Sequence, residues 1–179
     1  KYVANNPDYL TNELQNYTYT VKNAAFSAQE LSPTQPWADA ELSERLSGVK
    51  LNPGQAYKLR GDVWNEFLHN GMFAYTYAER MAEKLDKIVQ EIKRHPESRQ
   101  LYLNIWEGND LGNLGGISRV PCSLGYLFQV REGKLNITYF MRSCDYATHF
   151  QNDVYLAVSL MKFIAYKTGY EPGNFTHFI

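Results

Sequence analysis

Alternating apolar positions predict a β-hairpin in the second half of the chain. On either side of a turn at Arg131–Lys134, every second residue is apolar: Tyr126, Phe128, Val130, Leu135, Ile137 and Tyr139. A period of two over runs of this length is typical of strands with one buried face. A shorter strand is expected before the hairpin, over Gln100–Trp106.

Helical spacing of apolar residues predicts four helices. They cover residues 8–30, a short stretch near Ala38–Leu46, the amphipathic segment Met81–Ile92, and Val154–Thr168. The third helix should end at His95-Pro96, because proline disfavours helical geometry in the residue before it. The fourth is apolar almost all round, which predicts burial, and Gly169 should stop it. Proline and glycine make residues 32–61 irregular, and we assign this segment no chemistry.

Composition narrows the class of protein without identifying it. A chain of 179 residues is long enough to bury a core as one domain. A net charge of −1 gives no electrostatic footprint for nucleic acid or an anionic membrane. Apolar runs are too short for a membrane span, and no signal-peptide pattern is present. Two cysteines form no disulfide framework, so we expect a reducing cytoplasm. His69, His95 and His149 have no metal-ligand spacing, and we predict no metal.

The candidate chemistry lies at the two ends of the hairpin. Pro121-Cys122 precedes its first strand, and Arg142-Ser143-Cys144-Asp145 follows its second. Because a hairpin returns the chain to its starting point, Arg142 should come back near Cys122. A neighbouring guanidinium can stabilise a nucleophilic thiolate. A free cysteine without such a partner is usually a small buried apolar residue.

These two motifs resemble the core of the thymidylate synthase family, which includes the pyrimidine nucleotide hydroxymethylases. Further anchors follow the family's order: Glu13–Tyr17 resembles Glu-Leu-x-Trp-Phe, Tyr77–Arg80 resembles Tyr-Gly-x-x-Trp, Pro96–Arg99 resembles Pro-Asp-Ser-Arg, and Gly169–Phe175 resembles Gly-x-x-Pro-Gly-Asp-Phe. The similarity is weak between about residues 20 and 60. The resemblance implies an α/β (α+β) fold with a large mixed sheet flanked by helices, and a homodimer formed sheet on sheet.

The resemblance also predicts one domain over residues 1–179 that lacks its N- and C-terminal ends. Lys1 is an unusual translation start. Family members usually begin earlier, with a phosphate-binding loop, and continue beyond Phe175–His177 into a strand that holds the sugar.

For the reaction, the resemblance implies covalent catalysis on a pyrimidine nucleoside monophosphate. The Cys122 thiolate would attack C6 of the base, and C5 would then take a one-carbon unit from 5,10-methylenetetrahydrofolate. Glu13 would organise proton transfers. Arg142 and Ser143 would bind the phosphate, and Arg99 would reach across the dimer to the partner's phosphate. Gln100 departs from the family's second arginine there.

Asp145 and Tyr77 complete the implied site, whereas Cys144 takes no part in the chemistry. Asp145 would accept hydrogen bonds from the folate ring, and Tyr77 would form the cavity wall. Cys144 would be structural. Each has a simpler alternative on sequence alone: a turn cap for Asp145, core packing for Tyr77, and solvated side chains for Glu13 and Arg99.

By the same resemblance, Asp153 would determine whether the site recognises cytosine or uracil. Eight residues after the position of Asp145, thymidylate synthases carry an asparagine whose amide matches uracil; this chain has Asp153, preceded by Asn152. A carboxylate accepts from the amine of cytosine, and one shared proton satisfies N3. This resembles deoxycytidylate hydroxymethylases. If the match to the family's motif is shifted by one residue, Asn152 takes the base-reading position instead. Asp153 could also cap a helix.

Two other departures favour hydroxymethylation. Ser123 follows the cysteine where the synthases have histidine, and Asn16 stands where a tryptophan closes over the reactive methylene. Loss of that cover would admit water. We therefore predict 5-hydroxymethylation of dCMP or CMP. Thymidylate synthesis or hydroxymethylation of dUMP is the nearest alternative, and a non-catalytic nucleotide-binding protein is the second.

Overall fold

The structure is a computed structural model that describes residues 2–3, 10–27, 30–33, 35–113 and 119–179. Its strands are β1 (Tyr2–Val3), β2 (Leu10–Thr11), β3 (Thr18–Val21), β4 (Tyr102–Asn104), β5 (Ser123–Arg131), β6 (Lys134–Met141) and β7 (Glu171–Phe178). Its α-helices are α1 (Trp37–Leu46), α2 (Tyr77–Arg94) and α3 (Phe150–Thr168). Short 3-10 helices cover Ala56–Arg60, Asp62–Phe67 and Gly108–Asn113.

Five strands form one mixed sheet in the order β3-β7-β6-β5-β4. Every neighbouring pair is antiparallel except β6 and β7, which are parallel. A parallel pair cannot be joined by a tight turn, and α3 supplies the crossover between β6 and β7. This agrees with the expected mixed sheet flanked by helices.

The predicted hairpin is confirmed. Strands β5 and β6 pair from Ser123↔Met141 to Arg131↔Lys134. Glu132 and Gly133 form the turn with φ of 52° and 72°. Positive φ at both central residues is the geometry that matches the twist of the flanking strands.

Helices α1, α2 and α3 confirm three of the four helix predictions. The Thr76 hydroxyl and the Glu79 carboxylate form a capping box at the start of α2, which satisfies backbone donors that a helix start leaves unpaired. Gly169 ends α3 in the left-handed conformation, with φ of 81°. The strand before the hairpin is shorter than predicted, since its regular pairing with β5 covers Tyr102–Asn104.

The predicted helix over residues 8–30 is wrong. Within 10–27, where the structure describes it, this segment forms β2 and β3, and the rest of the prediction lies outside the described residues. Strand β3 pairs with β7 in the register Thr18↔Phe178 to Val21↔Phe175. Pairing with distant residues has overridden the local helical spacing of Leu10, Leu14 and Tyr17.

The core lies between one sheet face and the helices α2 and α3. Its largest fully buried side chains include Met81, Leu85, Tyr126, Phe128, Leu135, Ile137, Tyr139, Leu160 and Phe175. Helix α1 packs against both α2 and α3. Among the residues that the structure describes, no helix is long and apolar enough to cross a membrane.

Candidate functional site

The hairpin places Cys122 and Arg142 side by side, as predicted. Cys122 directly precedes β5 and Arg142 directly follows β6, and the Arg142 backbone N–H donates to the Cys122 carbonyl at 2.9 Å. The guanidinium donates through Nε to the Pro121 carbonyl at 2.9 Å and through Nη2 to the Val120 carbonyl at 3.2 Å. Arg142 therefore clamps the segment that carries the cysteine.

Two donors point at the cysteine sulfur. Nη2 of Arg142 lies 3.9 Å from Sγ of Cys122, and the Ser143 hydroxyl lies 3.6 Å from it. Cys122 is half-buried, while Arg142 and Ser143 are exposed. The sulfur is thus reachable from solvent beside a cation and a hydroxyl, an arrangement suited to a nucleophile and to an anionic ligand.

A β-bulge begins β5 immediately after the cysteine. The pairing register shifts between Ser123 and Gly125, and the Leu124 carbonyl accepts from Ile105 and Trp106. A Cβ at Gly125 would lie 2.6 Å from the Leu103 carbonyl, so this strand approach requires glycine. Bulges re-aim nearby side chains, and this one sets the direction of the chain at the cysteine.

The second cysteine serves a different purpose from the first. The Cys144 thiol donates to Oδ2 of Asp153 at 3.4 Å. Burial, followed by the Asp153 charge, raises the pKa of the Cys144 thiol. A thiol that stays protonated is a poor nucleophile, which supports the structural role expected for Cys144.

Asp153 lies in the first turn of α3 and is half-buried, whereas its neighbour Asn152 is fully buried. Burial raises the pKa of Asp153 to about 6, against the opposing effects of the Cys144 hydrogen bond and the Arg45 charge. A carboxyl group with this pKa exchanges a proton near neutral pH, which a purely structural helix cap has no need to do.

Below Cys122, buried hydroxyl groups form a network. The Ser123 hydroxyl bonds to the Tyr139 hydroxyl and donates to the Tyr77 hydroxyl at 3.3 Å. The Arg45 guanidinium lies over the Tyr77 ring, with Cζ 3.8 Å from its centroid. Burial raises the pKa of Tyr77 well above its usual value, so this hydroxyl stays protonated.

Glu41 is the site residue that sequence analysis missed. It lies on α1, lines the same cavity as Tyr77, and receives hydrogen bonds from the buried Arg45. Nη1 of Arg60 approaches its other oxygen at 3.5 Å. Glu41-Leu42 is one of three Glu-Leu pairs in this chain, with Glu13-Leu14 and Glu30-Leu31, and that signal was available in the sequence.

Three of the predicted site residues lie apart from this group. Glu13 is exposed ahead of β3, and β7 and β6 separate β3 from β5. Arg99 is exposed between α2 and β4. Asp145 caps a local turn: its carboxylate accepts from the Ala147 and Thr148 backbone N–H groups at 3.0 and 3.2 Å, and the Thr148 side-chain bond is the main reason its pKa is lowered.

Histidines do not form a metal centre in the part of the chain that the structure describes. No cluster there combines three His, Cys, Asp or Glu side chains with ligand geometry. His177 is buried and accepts or donates through Nδ1 with the Tyr19 hydroxyl at 3.1 Å. Burial lowers its pKa to about 4, so its imidazole is neutral at physiological pH.

Comparison with known proteins agrees with this geometry. The family model of thymidylate synthase matches residues 10–179. Thymidylate synthase 1/2 of Encephalitozoon cuniculi (strain GB-M1) is 26% identical over 133 residues, covering 74% of this chain and 44% of the relative. Thymidylate synthase of Equine herpesvirus 2 (strain 86/87) is 32% identical over 126 residues, covering 70% and 43%. The chain spans less than half the length of these curated relatives.

Solved structures show the same fold. Thermostable thymidylate synthase A from Bacillus subtilis superposes with a TM-score of 0.71 at 19% identity, covering 93% of this chain and 64% of that one. Thymidylate synthase from T4 phage gives 0.72 at 21% identity, covering 92% and 64%. These identities show the fold alone. The family match runs from β2 to the last residue, and this chain therefore belongs to the thymidylate synthase family.

Proposed function

We propose that this chain carries the catalytic cysteine of a folate-dependent hydroxymethylase that acts on a cytosine nucleotide, dCMP or CMP. The observation that carries the proposal is Asp153, a half-buried carboxylate with a pKa of about 6 on the first turn of α3, beside Cys144. Asn152 is fully buried in the core, which supports Asp153 as the residue that meets the base.

The chemistry of the two bases supports this choice. Each base presents a second polar atom to the carboxylate besides its N–H donor: N3 in cytosine and O4 in uracil. An ionised carboxylate repels both atoms unless a proton lies between them. A ring nitrogen is a much stronger base than a carbonyl oxygen, so cytosine shares that proton at lower cost. With a pKa near 6, the Asp153 carboxyl group can share a proton with N3 of cytosine.

The proposed mechanism assigns one task to each residue. The Cys122 thiolate adds to C6 of the base, which makes C5 nucleophilic. Arg142 and Ser143, the two donors beside Sγ, hold the phosphate and stabilise the thiolate. Asp153 orients the base and shares its proton. The Tyr77 hydroxyl, bonded to Ser123, fixes the cavity wall below the ring.

For proton transfer around the ring we propose Glu41 in place of Glu13. Glu41 lies in the cavity lined by Tyr77, while Glu13 is exposed ahead of β3. Its Oε1 is held by Arg45, and within the described part of the chain its Oε2 has only the 3.5 Å contact to Arg60. The second oxygen is therefore available to a water molecule.

The thymidylate synthase family uses 5,10-methylenetetrahydrofolate as cosubstrate, and the residues here fit such a molecule. One cleft is lined by Trp37, Trp64 and Phe67, which can stack on planar rings. The cosubstrate would supply the one-carbon unit, and water would complete the hydroxymethyl group. Asp145 remains a proposed contact for it, from the exposed turn that precedes α3.

A homodimer is also part of the proposal, with Arg99 reaching the partner's phosphate. The sheet face away from α2 and α3 carries aromatic side chains in contact: Tyr102 and Phe140 at 6.4 Å, and Phe140 and Phe178 at 6.1 Å between ring centroids. An aromatic sheet face of this kind can bury against a second copy. Domain extent and a cytoplasmic location stay predictions.

One assay tests the reaction. Full-length protein is incubated with methylenetetrahydrofolate and C5-tritiated dCMP, CMP or dUMP, and tritium release and product mass are measured. We expect release from a cytosine nucleotide with a 5-hydroxymethyl product. Release from dUMP alone would overturn the role of Asp153, and a methyl product would indicate a thymidylate synthase. No release from any nucleotide would favour the non-catalytic binding protein.

The substitution Asp153→Asn sharpens the same assay. An amide whose oxygen accepts from the Cys144 thiol turns its NH2 group towards the N4 amine of cytosine, so two donors meet. We therefore expect kcat/KM for the cytosine nucleotide to fall by about 10²- to 10⁴-fold, with a gain for dUMP. Asp86→Asn, on the exposed side of α2, makes the same chemical change away from the site and should leave both values unchanged.

A further inference from the structure

The carboxyl group of Asp153 has one oxygen held and one oxygen open. The Cys144 thiol donates to Oδ2, with Sγ 3.4 Å from it. Among the residues that the structure describes, no side chain or backbone N–H group donates to the other oxygen, Oδ1. The thiol is therefore the direct partner that this half-buried carboxyl group has within the described part of the chain.

The thiol is itself held in place by the surrounding structure. Cys144 is half-buried and packs against the main core. The turn after it is closed by the Asp145 backbone carbonyl, which accepts from the N–H groups of His149 at 2.9 Å and Phe150 at 3.0 Å. Helix α3 begins at Phe150, so this turn sets the distance from Cys144 to the first turn of the helix, where Asp153 lies. The hydrogen bond between the two side chains thus follows from backbone geometry.

Other charged and titratable groups face Asp153 from α1, from the 3-10 helix over Ala56–Arg60 and from the strands β3, β5 and β6. They are Glu41, Arg45, Arg60, Tyr19, Tyr126 and Tyr139. Burial raises the pKa of Asp153, the Cys144 hydrogen bond and the two arginines lower it, and Glu41 raises it. Burial is also the main cause that raises the pKa of the three tyrosines, so their hydroxyl groups stay protonated. Among the described residues none of these six groups hydrogen-bonds to the carboxyl group, which leaves its orientation to Cys144.

A donor on one oxygen removes the equivalence of the two carboxyl oxygens. The terminal torsion of an aspartate side chain is broad and roughly two-fold, so an unbonded carboxyl group can exchange its oxygens by rotation. Burial, followed by the Asp153 charge, raises the pKa of the Cys144 thiol, which therefore remains a donor. With Oδ2 held, Oδ1 is the acceptor that is left for the N4 amine of cytosine. The plane of the carboxyl group, and with it the place where the proton is shared with N3, is fixed at the same time.

We propose that Cys144 is a positioning residue for base recognition, whose thiol holds Oδ2 of Asp153 and so presents Oδ1 to the nucleotide base. This adds a task to the structural role expected for Cys144. The identity of that base rests on the proposed function, whereas the hold of Cys144 on Asp153 does not. In this task Cys144 touches no reacting atom and acts through Asp153.

NMR titration of the Asp153 carboxyl group measures this hold directly. Full-length protein that carries ¹³C in its aspartate side-chain carboxyl groups is titrated between about pH 4 and 9, and Asp153→Asn identifies the signal. The unmodified protein is compared with Cys144→Ala, which removes the donor, and with Cys144→Ser, which keeps one. Cys122→Ser is the matched control, because it makes the same exchange at the other of the two cysteines. Thermal unfolding of every variant establishes that it is folded.

In Cys144→Ala, the midpoint of the Asp153 titration should rise by about one pH unit, because the ionised carboxylate loses a direct hydrogen-bond donor. In Cys144→Ser and in the control Cys122→Ser, the midpoint should not rise. An unchanged midpoint in Cys144→Ala would overturn the proposal. An equal rise in Cys144→Ser or in Cys122→Ser would also overturn it, because the effect would then not depend on a donor at residue 144.

Turnover by the same variants tests base recognition. The measured quantity is the ratio of kcat/KM for the cytosine nucleotide to kcat/KM for dUMP. We expect this ratio to fall about tenfold in Cys144→Ala and to recover in Cys144→Ser, because a freely rotating carboxyl group no longer presents a fixed acceptor. Equal losses for both nucleotides would overturn the role of Cys144 in base recognition.

The two measurements separate this proposal from the proposed function. The NMR titration requires no turnover. If the midpoints shift as expected while no nucleotide reacts, the proposed function fails and the hold of Cys144 on Asp153 stands. If a cytosine nucleotide reacts while the midpoint in Cys144→Ala is unchanged, the proposed function stands and the positioning role fails.

Discussion

Replacing Asp153 by asparagine should stabilise the protein in a way that depends on pH. Burial raises the pKa of this carboxyl from its usual 3.8 to about 6, so the folded protein holds a proton that the unfolded chain has released. Wherever the folded state binds the extra proton, stability falls as pH rises. Asparagine has no such proton, and its side-chain oxygen can still accept from the Cys144 thiol.

The magnitude follows from the shift in pKa. A shift of about two pKa units means that ionised Asp153 destabilises the folded protein by roughly 3 kcal/mol above pH 6. Well below pH 4 the carboxyl group is protonated in both the folded and the unfolded state, and it has no such effect. Between about pH 4.5 and 7.5 the free energy of unfolding of Asp153→Asn, relative to the unmodified protein, should therefore increase by roughly 2 kcal/mol.

Urea unfolding at a series of pH values measures this difference. Asp86→Asn, an exposed substitution on α2, is the control and should show no comparable trend. A difference between Asp153→Asn and the unmodified protein that stays constant over this range would refute the raised pKa. A trend of the opposite sign would mean that the folded protein holds Asp153 ionised, and the shared-proton argument for cytosine would fail with it.

Three further predictions concern the cysteines, the glutamates and the buried arginine. Iodoacetamide at about pH 8 should alkylate Cys122 well before Cys144, because the pKa of the Cys144 thiol is raised. Peptide mass spectrometry measures the order of alkylation, and faster reaction at Cys144 would contradict the structure. Glu41→Gln should lower the tritium-release rate by about 10²- to 10⁴-fold, while Glu13→Gln stays within about twofold; the reverse result would restore the role predicted for Glu13. Arg45→Leu should lower the free energy of unfolding in urea by about 3–5 kcal/mol, because it leaves the half-buried Glu41 carboxylate without its main partner. A loss under about 1 kcal/mol would show that the ion pair does not contribute to stability.

Local patterns determined much of this structure. The hairpin of β5 and β6 follows from strict alternation with a turn that tolerates positive φ, and α2 and α3 follow from apolar spacing with clear end signals at His95-Pro96 and Gly169. The approach of Arg142 to Cys122 was also predictable, because a hairpin with a known turn fixes which residues lie at its open end. In each case the interactions that decide the outcome are close in sequence.

Tertiary structure decided the N-terminal third. Leu10, Leu14 and Tyr17 carry apolar spacing that suits a helix, yet residues 18–21, which follow directly, pair with β7 more than 150 positions later in the chain. The choice between Glu13 and Glu41 has the same cause. Both precede a leucine, and only the packing of α1 against α2 and α3 brings Arg45 over Tyr77 and places Glu41 in the same cavity.

The candidate site also combines features that the sequence predicts with features that depend on the tertiary structure. The sequence by itself determined which residues can act as nucleophile, cation and acid: Cys122, Arg142 and Asp153. It could not determine that Asp153 stays half-buried beside Cys144 while Asn152 enters the core, nor that Arg60 and Arg119 meet on Trp64. A pKa, a stacked cation and a shared cavity depend on burial and on charges from distant segments, and these exist only once the chain has folded.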